Sequence, residues 1–421
     1  MVEYWKKCAV ICSLGQFSDA ADAGLGFVLI PLVIALWGLG PIEVGWLGSA
    51  FTFGAMAGGL ISGMLMDYVG RKRMWVLGNL LAAIAYFLSA TSTTWIQFAV
   101  YRFIAGFTVG TCFTAYFTLL PEEVPSDKRS TIAGLGLALN TCGILFLSTL
   151  LALTGVVPWI TWQVMVIFVG AIDLVMAVLG QLFLREPPIW VERRKLMKEG
   201  KIAEEEKTSL KVMISPEVRK MFIYSILLGI SYGFVTLAVA GSGNVSYFQS
   251  AVLQLSPATV GVVYIIATLI NVVQVAGTGR LGDKIGRLNT ILVVGIISLI
   301  ASQLLFRTPY FVGVGESISV IAFSTIMYCL WVWAERPLDS PVRVWVAEVI
   351  PTAARGSVQG ILDFVKSLIG SVLSIAVGYL AAAIGVIEGY SLMPLFGGIF
   401  GLAVVTMLKR KGFETKGKAL A

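Results

Sequence analysis

Long apolar runs, separated by short polar segments, make up most of the chain. A membrane-spanning helix needs about 20 mostly apolar residues. Twelve runs meet this requirement, and an even number of spans places both chain ends on one side of the membrane. The predicted transmembrane helices are residues 8–36, 44–66, 74–92, 95–120, 130–154, 162–184, 221–249, 257–280, 289–306, 311–346, 357–385 and 390–408.

The longest polar segment, from Arg185 to Lys220, separates the first six spans from the last six. Lysines and arginines concentrate in this segment, in the terminal tails and in the loops on the same side, whereas only Arg307 lies in a loop on the other side. Because positive charge marks the cytoplasmic face, we expect a plasma- or inner-membrane protein with both termini in the cytoplasm. No small-residue cleavage site follows the N-terminal basic residues, so the first helix should be retained. The predicted parts are an N-terminal six-helix half over 1–184, a cytoplasmic linker over 185–220, a C-terminal six-helix half over 221–408 and a basic cytoplasmic tail over 409–421.

Two loop motifs of the first half recur in the second. The first, G-x3-D-x2-G-R, comprises Gly63, Asp67, Gly70 and Arg71, and again Gly279, Asp283, Gly286 and Arg287. The second, E-x2-P-x3-R-x4-G, comprises Glu122, Pro125, Arg129 and Gly134, and again Glu348, Pro351, Arg355 and Gly360. Internal repeats in a chain of transporter size indicate alternating access around a site near the middle of the membrane.

The composition excludes a soluble globular protein, because 57% of the residues are hydrophobic and only 13% are charged, against about 25% charged in soluble domains. The 45 glycines and the mean hydropathy of +0.87 fit closely packed apolar helices in a bilayer. The net charge of +7 comes from residues at the ends of spans, so no nucleic-acid partner is expected.

The chain has no histidine, which excludes Ser-His-Asp triads, histidine metal sites and histidine proton relays. The five cysteines lie in apolar runs without metal-ligand spacing, so we expect no disulfide, no metal and no other cofactor. A G-x-S-x-G run at 229–233 lies in an apolar helix with no strand before it, which argues against a catalytic serine. We therefore expect no catalytic residues, and any proton chemistry must use carboxylates.

The repeated loop motifs resemble those of the major facilitator superfamily, in particular its branch of sugar porters and metabolite:proton symporters. Tyr101-Arg102-Phe103 in the fourth span and Glu186-x-Pro188 after the sixth add to the likeness. The resemblance implies an all-α membrane protein whose twelve transmembrane helices form two pseudo-symmetric six-helix halves. It also implies a secondary active transporter, not an enzyme, with a small solute and protons as its partners in the lipid bilayer. We expect it to function as a monomer.

Two segments depart from the sugar-porter pattern. The paired glutamines of the seventh span are missing, because Ala240-Gly241 precede Ser242-Gly243-Asn244. In the tenth span the sequence 340–343 reads SPVR where the family has P-x-P-W, so a charged gate replaces an aromatic one. The first departure argues against the family's hexose contacts.

Two aspartates, Asp19 and Asp22, lie about 17 to 21 Å into the first predicted span, near the bilayer centre. Because they are three residues apart, they share one helix face. The resemblance implies that an aspartate of the first span carries the proton and pairs with an arginine of the fourth, which assigns these roles to Asp22 and Arg102. Asp19 either shares the proton or adds polarity to substrate binding or helix contacts. The alternative is a fixed structural ion pair.

The tenth predicted span combines four charged residues with two prolines. Arg336, Asp339 and Arg343 fall on one helix face, and irregular backbone at depth is tolerated where it lines a cavity. This pattern predicts a substrate cavity or gate. The alternatives are that the acidic residues only neutralise the arginines, or that part of the segment is a polar loop. The cavity candidates are Arg336, Asp339, Glu335, Arg343, Asn244 and Trp331, and the weaker candidates are Asp173, Asp363 and Lys366.

The repeated loops have a mechanical interpretation, since glycine permits a tight turn and opposite charges can latch helix ends in one state. The alternative is that their basic residues only set the orientation in the membrane. The candidate gating residues are Asp67, Gly70, Arg71, Glu122, Arg129, Asp283, Gly286, Arg287, Glu348 and Arg355.

We expect the substrate to be an organic acid anion, because Arg336 and Arg343 offer paired donors to carboxylates and the paired glutamines are absent. A sugar is the alternative. A transporter-like sensor is less favoured, because the polar tail 409–421 is short for a signalling segment.

Overall fold

The computed structural model describes residues 4–125, 129–188, 190–192, 195, 216–233, 243–334, 336–350 and 352–415. Within these ranges the regular secondary structure is helical, which confirms the predicted all-α fold. The chain divides into two compact units, Met1–Gly38 with Trp46–Ala203, and Leu39–Gly45 with Glu204–Ala421. Most of the predicted linker 185–220 lies outside the described residues, so its role stays a prediction.

The helices of the first unit precede the linker, and α3 begins in the segment assigned to the second unit. They are α1 (Tyr4–Val28), α2 (Ile30–Trp37), α3 (Pro41–Val69), α4 (Arg71–Ser89), α5 (Trp95–Glu123), α6 (Arg129–Leu153) and α7 (Trp162–Phe183). The described helices of the second unit are α8 (Pro216–Tyr232), α9 (Asn244–Tyr247), α10 (Pro257–Ile285), α11 (Arg287–Phe306), α12 (Thr308–Val312), α13 (Ile318–Trp331), α14 (Arg336–Val349), α15 (Thr352–Ile384) and α16 (Val386–Arg410). A π-helical turn, Phe248–Val252, continues α9, and a 3-10 turn, Val332–Ala334, joins α13 to α14.

In the described part of the chain, eight helical segments are long and apolar enough to cross a membrane, and the bent pair α1 and α2 makes a ninth. Three more of the twelve predicted spans correspond to α4, α6 and α8. Helix α4 opens with the basic run Arg71–Arg73, α6 has a shorter apolar stretch, Ala138–Leu153, and α8 has 17 residues.

Two predicted spans differ in detail from the structure. The first contains two helices bent by 44°, because Pro31 in the first turn of α2 lacks the N–H that would continue the bonding of α1. The predicted start of the tenth span at residue 311 is wrong, since the long helix begins at Ile318. Gly313 and Gly315 adopt φ values of +84° and +99° before it, a conformation that ends the short helix α12 and that favours glycine.

Helices α3 and α5 cross with their backbones in direct contact. At Gly58 of α3 a Cβ atom would overlap the carbonyl oxygen of Phe107, and at Gly106 of α5 it would overlap that of Phe51. Gly54 and Gly110 repeat the arrangement one turn away. Pairs of glycines four residues apart allow this approach inside a membrane, so the crossing fixes the position of α5, the helix that carries Arg102.

Each unit also joins its first helix to the segment after its last one through a tyrosine and a basic residue. In the first unit, the Arg185 guanidinium lies 3.8 Å from the centre of the Tyr4 ring, and its backbone N–H donates to the Tyr4 hydroxyl at 2.7 Å. In the second unit, Lys411 Nζ donates to the Tyr224 hydroxyl at 2.7 Å. We call these two contacts the tyrosine clamps.

Candidate functional site

Three carboxyl groups and one guanidinium form a buried cluster in the first unit. Asp19 and Asp22 of α1 interact electrostatically with Asp173 of α7, and Asp22 also with Arg102 of α5. The exposed fraction is 7% for Asp19 and 1% for each of the other three residues. The structure therefore brings together the three residues predicted for proton coupling and adds Asp173, a weaker candidate from sequence.

Arg102 is held on several sides. Its Nη1 donates to the main-chain carbonyl oxygen of Asp22 at 2.8 Å and to the Tyr86 hydroxyl at 3.4 Å. The guanidinium carbon lies 4.3 Å from the centre of the Phe51 ring. A Cβ at position 26 would lie only 2.7 Å from Nη2, so Gly26 leaves the space that this side chain occupies.

The carboxyls have few neutral partners. Gln16 Nε2 donates to Asp19 Oδ2 at 2.9 Å, and the Ser18 hydroxyl donates to Asp173 Oδ1. Asp22 Oδ1 and Asp173 Oδ2 are buried without a hydrogen-bond partner among the described residues. Since burying charge without compensation is unfavourable, three carboxyls beside one arginine favour states in which protons neutralise part of the cluster.

A second charged cluster lies in the second unit, between α14 and α15. Arg343 Nε donates to Asp339 at 2.5 Å, and its Nη1 and Nη2 donate to the two oxygens of Asp363 at 3.1 and 2.7 Å. Lys366 Nζ lies 3.3 Å from Asp339 and 3.0 Å from Asp363. Among the described residues, these ion pairs join α14 to α15, and the alternative that Glu335 and Asp339 neutralise Arg336 and Arg343 stays untested.

This cluster remains partly open, because the side chains of Arg343 and Asp363 are 39% and 40% exposed. Both partners of this ion pair are therefore accessible from solution. Of the predicted cavity residues, Glu335 and the side chain of Arg336 lie outside the described residues.

Polar side chains of neighbouring helices bond the carbonyls where α13 ends. Gln274 donates to the carbonyl of Cys329 at 2.9 Å, and Asn271 to that of Val332 at 3.3 Å. Ser298 donates to the Leu330 carbonyl at 3.2 Å. Backbone groups freed at a helix break must find such partners inside a membrane, so these residues, which hydropathy did not single out, support the interruption beside the charged cluster.

The two remaining cavity candidates are buried. Asn244 Nδ2 donates to the Ser374 hydroxyl at 3.4 Å. Trp331 is 1% exposed and packs edge-on against Phe306, with ring centres 5.5 Å apart. The Phe306 ring also contacts that of Tyr390 at 5.9 Å, which places Trp331 in an aromatic core.

The repeated loops form an ion-pair network in the second unit. Arg287 Nη1 lies 3.0 Å from Asp283 and its Nη2 lies 3.0 Å from Glu348, so one arginine joins the two motifs. Gly286 between α10 and α11 has a φ of +101°, as a tight turn requires. The Arg355 side chain lies outside the described residues.

In the first unit the corresponding turn is at Gly70, with a φ of +117°. Arg71 Nη1 donates to the Met66 carbonyl at 3.2 Å. The side chains of Asp67, Glu122 and Arg129 lie outside the described residues.

A carboxylate caps the helix after each of these turns, which the sequence did not predict. Glu186 accepts the backbone N–H groups of Lys72 and Arg73 at 3.2 and 3.1 Å. Glu414 accepts those of Arg287 and Leu288 at 2.9 and 3.1 Å. Acceptors at a helix N-terminus satisfy donors that lack partners in the helix. In the sequence, the only indication of these caps is a glutamate shortly after the last span of each half.

Comparison with known proteins gives one consistent family. The model of the Major Facilitator Superfamily matches residues 12–375. The cis,cis-muconate transport protein of Acinetobacter baylyi is 28% identical over 422 residues, which cover 97% of this chain and 96% of that protein. The D-xylose transporter of Levilactobacillus brevis is 24% identical over 441 residues, covering 97% and 92%. The inward-open structure of the xylose transporter XylE from E. coli has a TM-score of 0.75 at 18% identity and covers 99% of this chain and 98% of that one.

Proposed function

The chain belongs to the Major Facilitator Superfamily, and within that family we propose that it is a proton-coupled symporter of a small organic acid anion. It is a multi-pass membrane protein of a family of transporters, which are not enzymes. The observation that carries the proposal is the buried cluster of Asp19, Asp22, Asp173 and Arg102.

In this mechanism the cluster is the proton site. When all three carboxyls are ionised, their charge exceeds that of Arg102, and a proton on Asp22 reduces this excess. Coupling requires that the protein change conformation only when the buried charge is compensated. Asp22 is the primary carrier, because its carboxyl interacts with Asp19, Asp173 and Arg102. Asp19 and Asp173 share the proton with it.

The solute is proposed to be a carboxylate because a relative that matches nearly the whole chain is named for muconate transport. Arg343 offers paired nitrogen donors, which suit a carboxylate. An incoming acid would compete with Asp363 for Nη1 and Nη2, and Lys366 would keep the displaced carboxylate paired.

The test is uptake into proteoliposomes that contain the purified chain. With an inward proton gradient, we expect accumulation of cis,cis-muconate or a related acid. Asp22→Asn should abolish accumulation and keep exchange of labelled for unlabelled acid. Glu388→Gln, which changes a carboxylate that is 49% exposed and outside the proposed proton, solute and gate sites, is the matched control and should leave accumulation in place. Full gradient-driven accumulation by Asp22→Asn would contradict the proton assignment.

Sugar transport is the second candidate. A D-xylose transporter matches almost the whole chain, and Asn244 is a buried amide near Ser374. If exchange of labelled xylose is retained in Arg343→Ala and lost in Asn244→Ala, a sugar is favoured over an organic acid as the substrate.

We further propose that the protein is a monomer in the plasma or inner membrane with both termini in the cytoplasm, and that its two six-helix halves alternate access. An impermeant thiol reagent added to intact cells should label Ser319→Cys and spare Lys411→Cys, and the opposite pattern would reverse the topology. The Arg287 network is proposed as a gate, so Arg287→Ala should change the reactivity of Asn244→Cys, a cysteine introduced at a proposed cavity position, toward that reagent.

A further inference from the structure

An apolar crevice opens among four helices of the second unit, α8, α11, α14 and α16. It contains about 570 Å³ of unfilled space, part of it open to the surroundings. Three lining positions, Gly295, Gly398 and Gly401, have no side chain, while Leu228 and Val405 form part of its walls. A Cβ at Gly295 would meet Leu402 at 3.4 Å, whereas Leu299 and Ser231 already lie against Gly398 and Gly401. The missing side chain at Gly295 therefore leaves open space in the crevice.

The lining has no polar function of its own. The Ser231 hydroxyl donates to the Gly397 carbonyl at 3.0 Å, so its hydrogen bond is already made. Beside the crevice, α11 and α16 present large apolar side chains that are more than a third exposed, a surface suited to the hydrocarbon of a bilayer. These side chains are Val293, Ile296, Ile300, Phe396, Ile399 and Phe400.

One end of the crevice is basic. The first turn of α8 exposes Arg219 and Lys220, and the last residues of α16 expose Lys409 and Arg410. The two helix ends are neighbours, because Lys411 bonds the Tyr224 hydroxyl. Val405 of the crevice lies four residues from Lys409, about 6 Å along the helix. The nearby Glu414 carboxylate accepts two backbone N–H groups of α11, and the four cations outnumber it.

We propose that this crevice binds one acyl chain of an anionic phospholipid, whose phosphate lies against Arg219, Lys220, Lys409 and Arg410. The apolar lining excludes a polar ligand, and the four cations favour an anionic headgroup over a zwitterionic one. Basic pockets between transmembrane helices select anionic lipids for this reason.

The test is native mass spectrometry of the purified full chain after incubation with phosphatidylglycerol or with phosphatidylcholine of the same acyl chains. We expect phosphatidylglycerol to stay bound and phosphatidylcholine to be lost. Gly295→Leu should block binding by filling the crevice, since Gly295 lines it and a Cβ at this position meets Leu402 at an ordinary contact distance of 3.4 Å. The double change Lys409→Ala with Arg410→Ala should weaken binding about fivefold for each charge removed.

Matched controls separate this site from general adsorption. Gly277→Leu adds the same side chain where nothing lies within 4 Å, and Lys6→Ala with Lys7→Ala removes two exposed charges from the first unit. Both should bind as the original chain does. If phosphatidylglycerol binding is lost in Lys409→Ala with Arg410→Ala but not in Gly295→Leu, the lipid is held by surface charge only. That result would overturn the proposed crevice site. Equal retention of both lipids, or unchanged binding in Gly295→Leu at unchanged helix content, would also overturn the proposal.

Discussion

Arg102 donates its 2.8 Å hydrogen bond to the main-chain carbonyl oxygen of Asp22. A main-chain acceptor is the same whether the carboxyl of that residue is protonated or ionised. The guanidinium therefore keeps one fixed anchor on α1 while its electrostatic interaction with the Asp22 side chain changes. This arrangement suits a site that must reload repeatedly without losing its geometry.

Asp173→Asn tests whether the third carboxyl belongs to the proton site. The amide still accepts from the Ser18 hydroxyl but cannot bind the proton. We expect gradient-driven accumulation to fall by about 5- to 150-fold, the range of coupling between two ligand sites, with exchange preserved. Uptake with and without a proton gradient measures this. Ser18→Ala, which keeps the carboxyl, is the control, and equal losses in the two variants would indicate a packing role.

Arg343→Ala and Asp363→Asn should change acid binding in opposite directions. Loss of the guanidinium removes charged hydrogen bonds worth about 1.5–3 kcal/mol, so the Kd for the acid should rise at least tenfold. Asp363→Asn removes the competing carboxylate, so the Kd should fall. Titration of the purified protein with the acid at constant pH checks both. Binding that Arg343→Ala leaves intact would remove this arginine from the solute site.

Gly106→Ala should destabilise the protein. A Cβ at this position collides with the backbone of Phe51 on α3, and overpacking of this kind lowers the free energy of unfolding by about 1–3 kcal/mol. Thermal unfolding in detergent measures the loss. Gly277→Ala is the control, because its Cβ meets nothing within 4 Å and alanine favours the helix. Equal melting temperatures in the two variants would refute the close crossing of α3 and α5.

Glu316→Gln should alter the pH dependence of stability. The backbone N–H of Ser256 and then its hydroxyl, followed by Thr259, lower the pKa of the Glu316 carboxyl from its ordinary value of 4.5. A lowered pKa in the folded state adds stability above the unfolded pKa, and this contribution is lost as pH falls through the folded value. The original chain should therefore be the more stable one at neutral pH, and the difference should shrink in acid.

Melting curves of the original chain and of Glu316→Gln, measured from neutral to acid pH, test this effect. Ser256→Ala, which keeps the backbone donor, should show a smaller change in the same direction. If the difference in stability between the original chain and Glu316→Gln grows as the pH falls, the predicted effect of Glu316 on stability is wrong.

The glycine turns and the long apolar helices were the most predictable features. The glycines at positions 70 and 286 adopt positive φ values as the motif required, and the long apolar runs located most helices. The bend at Pro31 was not predicted, because hydropathy is continuous through it. The start at Ile318 was missed for a related reason, since an apolar segment can continue past the point where a helix begins.

Partners from distant segments were harder to predict. Hydropathy fixes where a helix lies but not how it is rotated, so nothing in the sequence joined Asp363 to Arg343. The resemblance supplied Asp22 and Arg102, whereas Asp173 was only a weaker candidate from its position in the sixth span. The capping roles of Glu186 and Glu414 depend on short segments after the last helix of each unit, which carry no periodic pattern.

The tyrosine clamps hold the first helix of each unit against the segment that follows its last helix. Tyr4 near the chain start contacts Arg185 after α7, and Tyr224 near the start of α8 contacts Lys411 after α16. The entry and exit points of each unit therefore lie side by side. Each unit therefore brings its own two ends together through contacts within that unit, without help from the other.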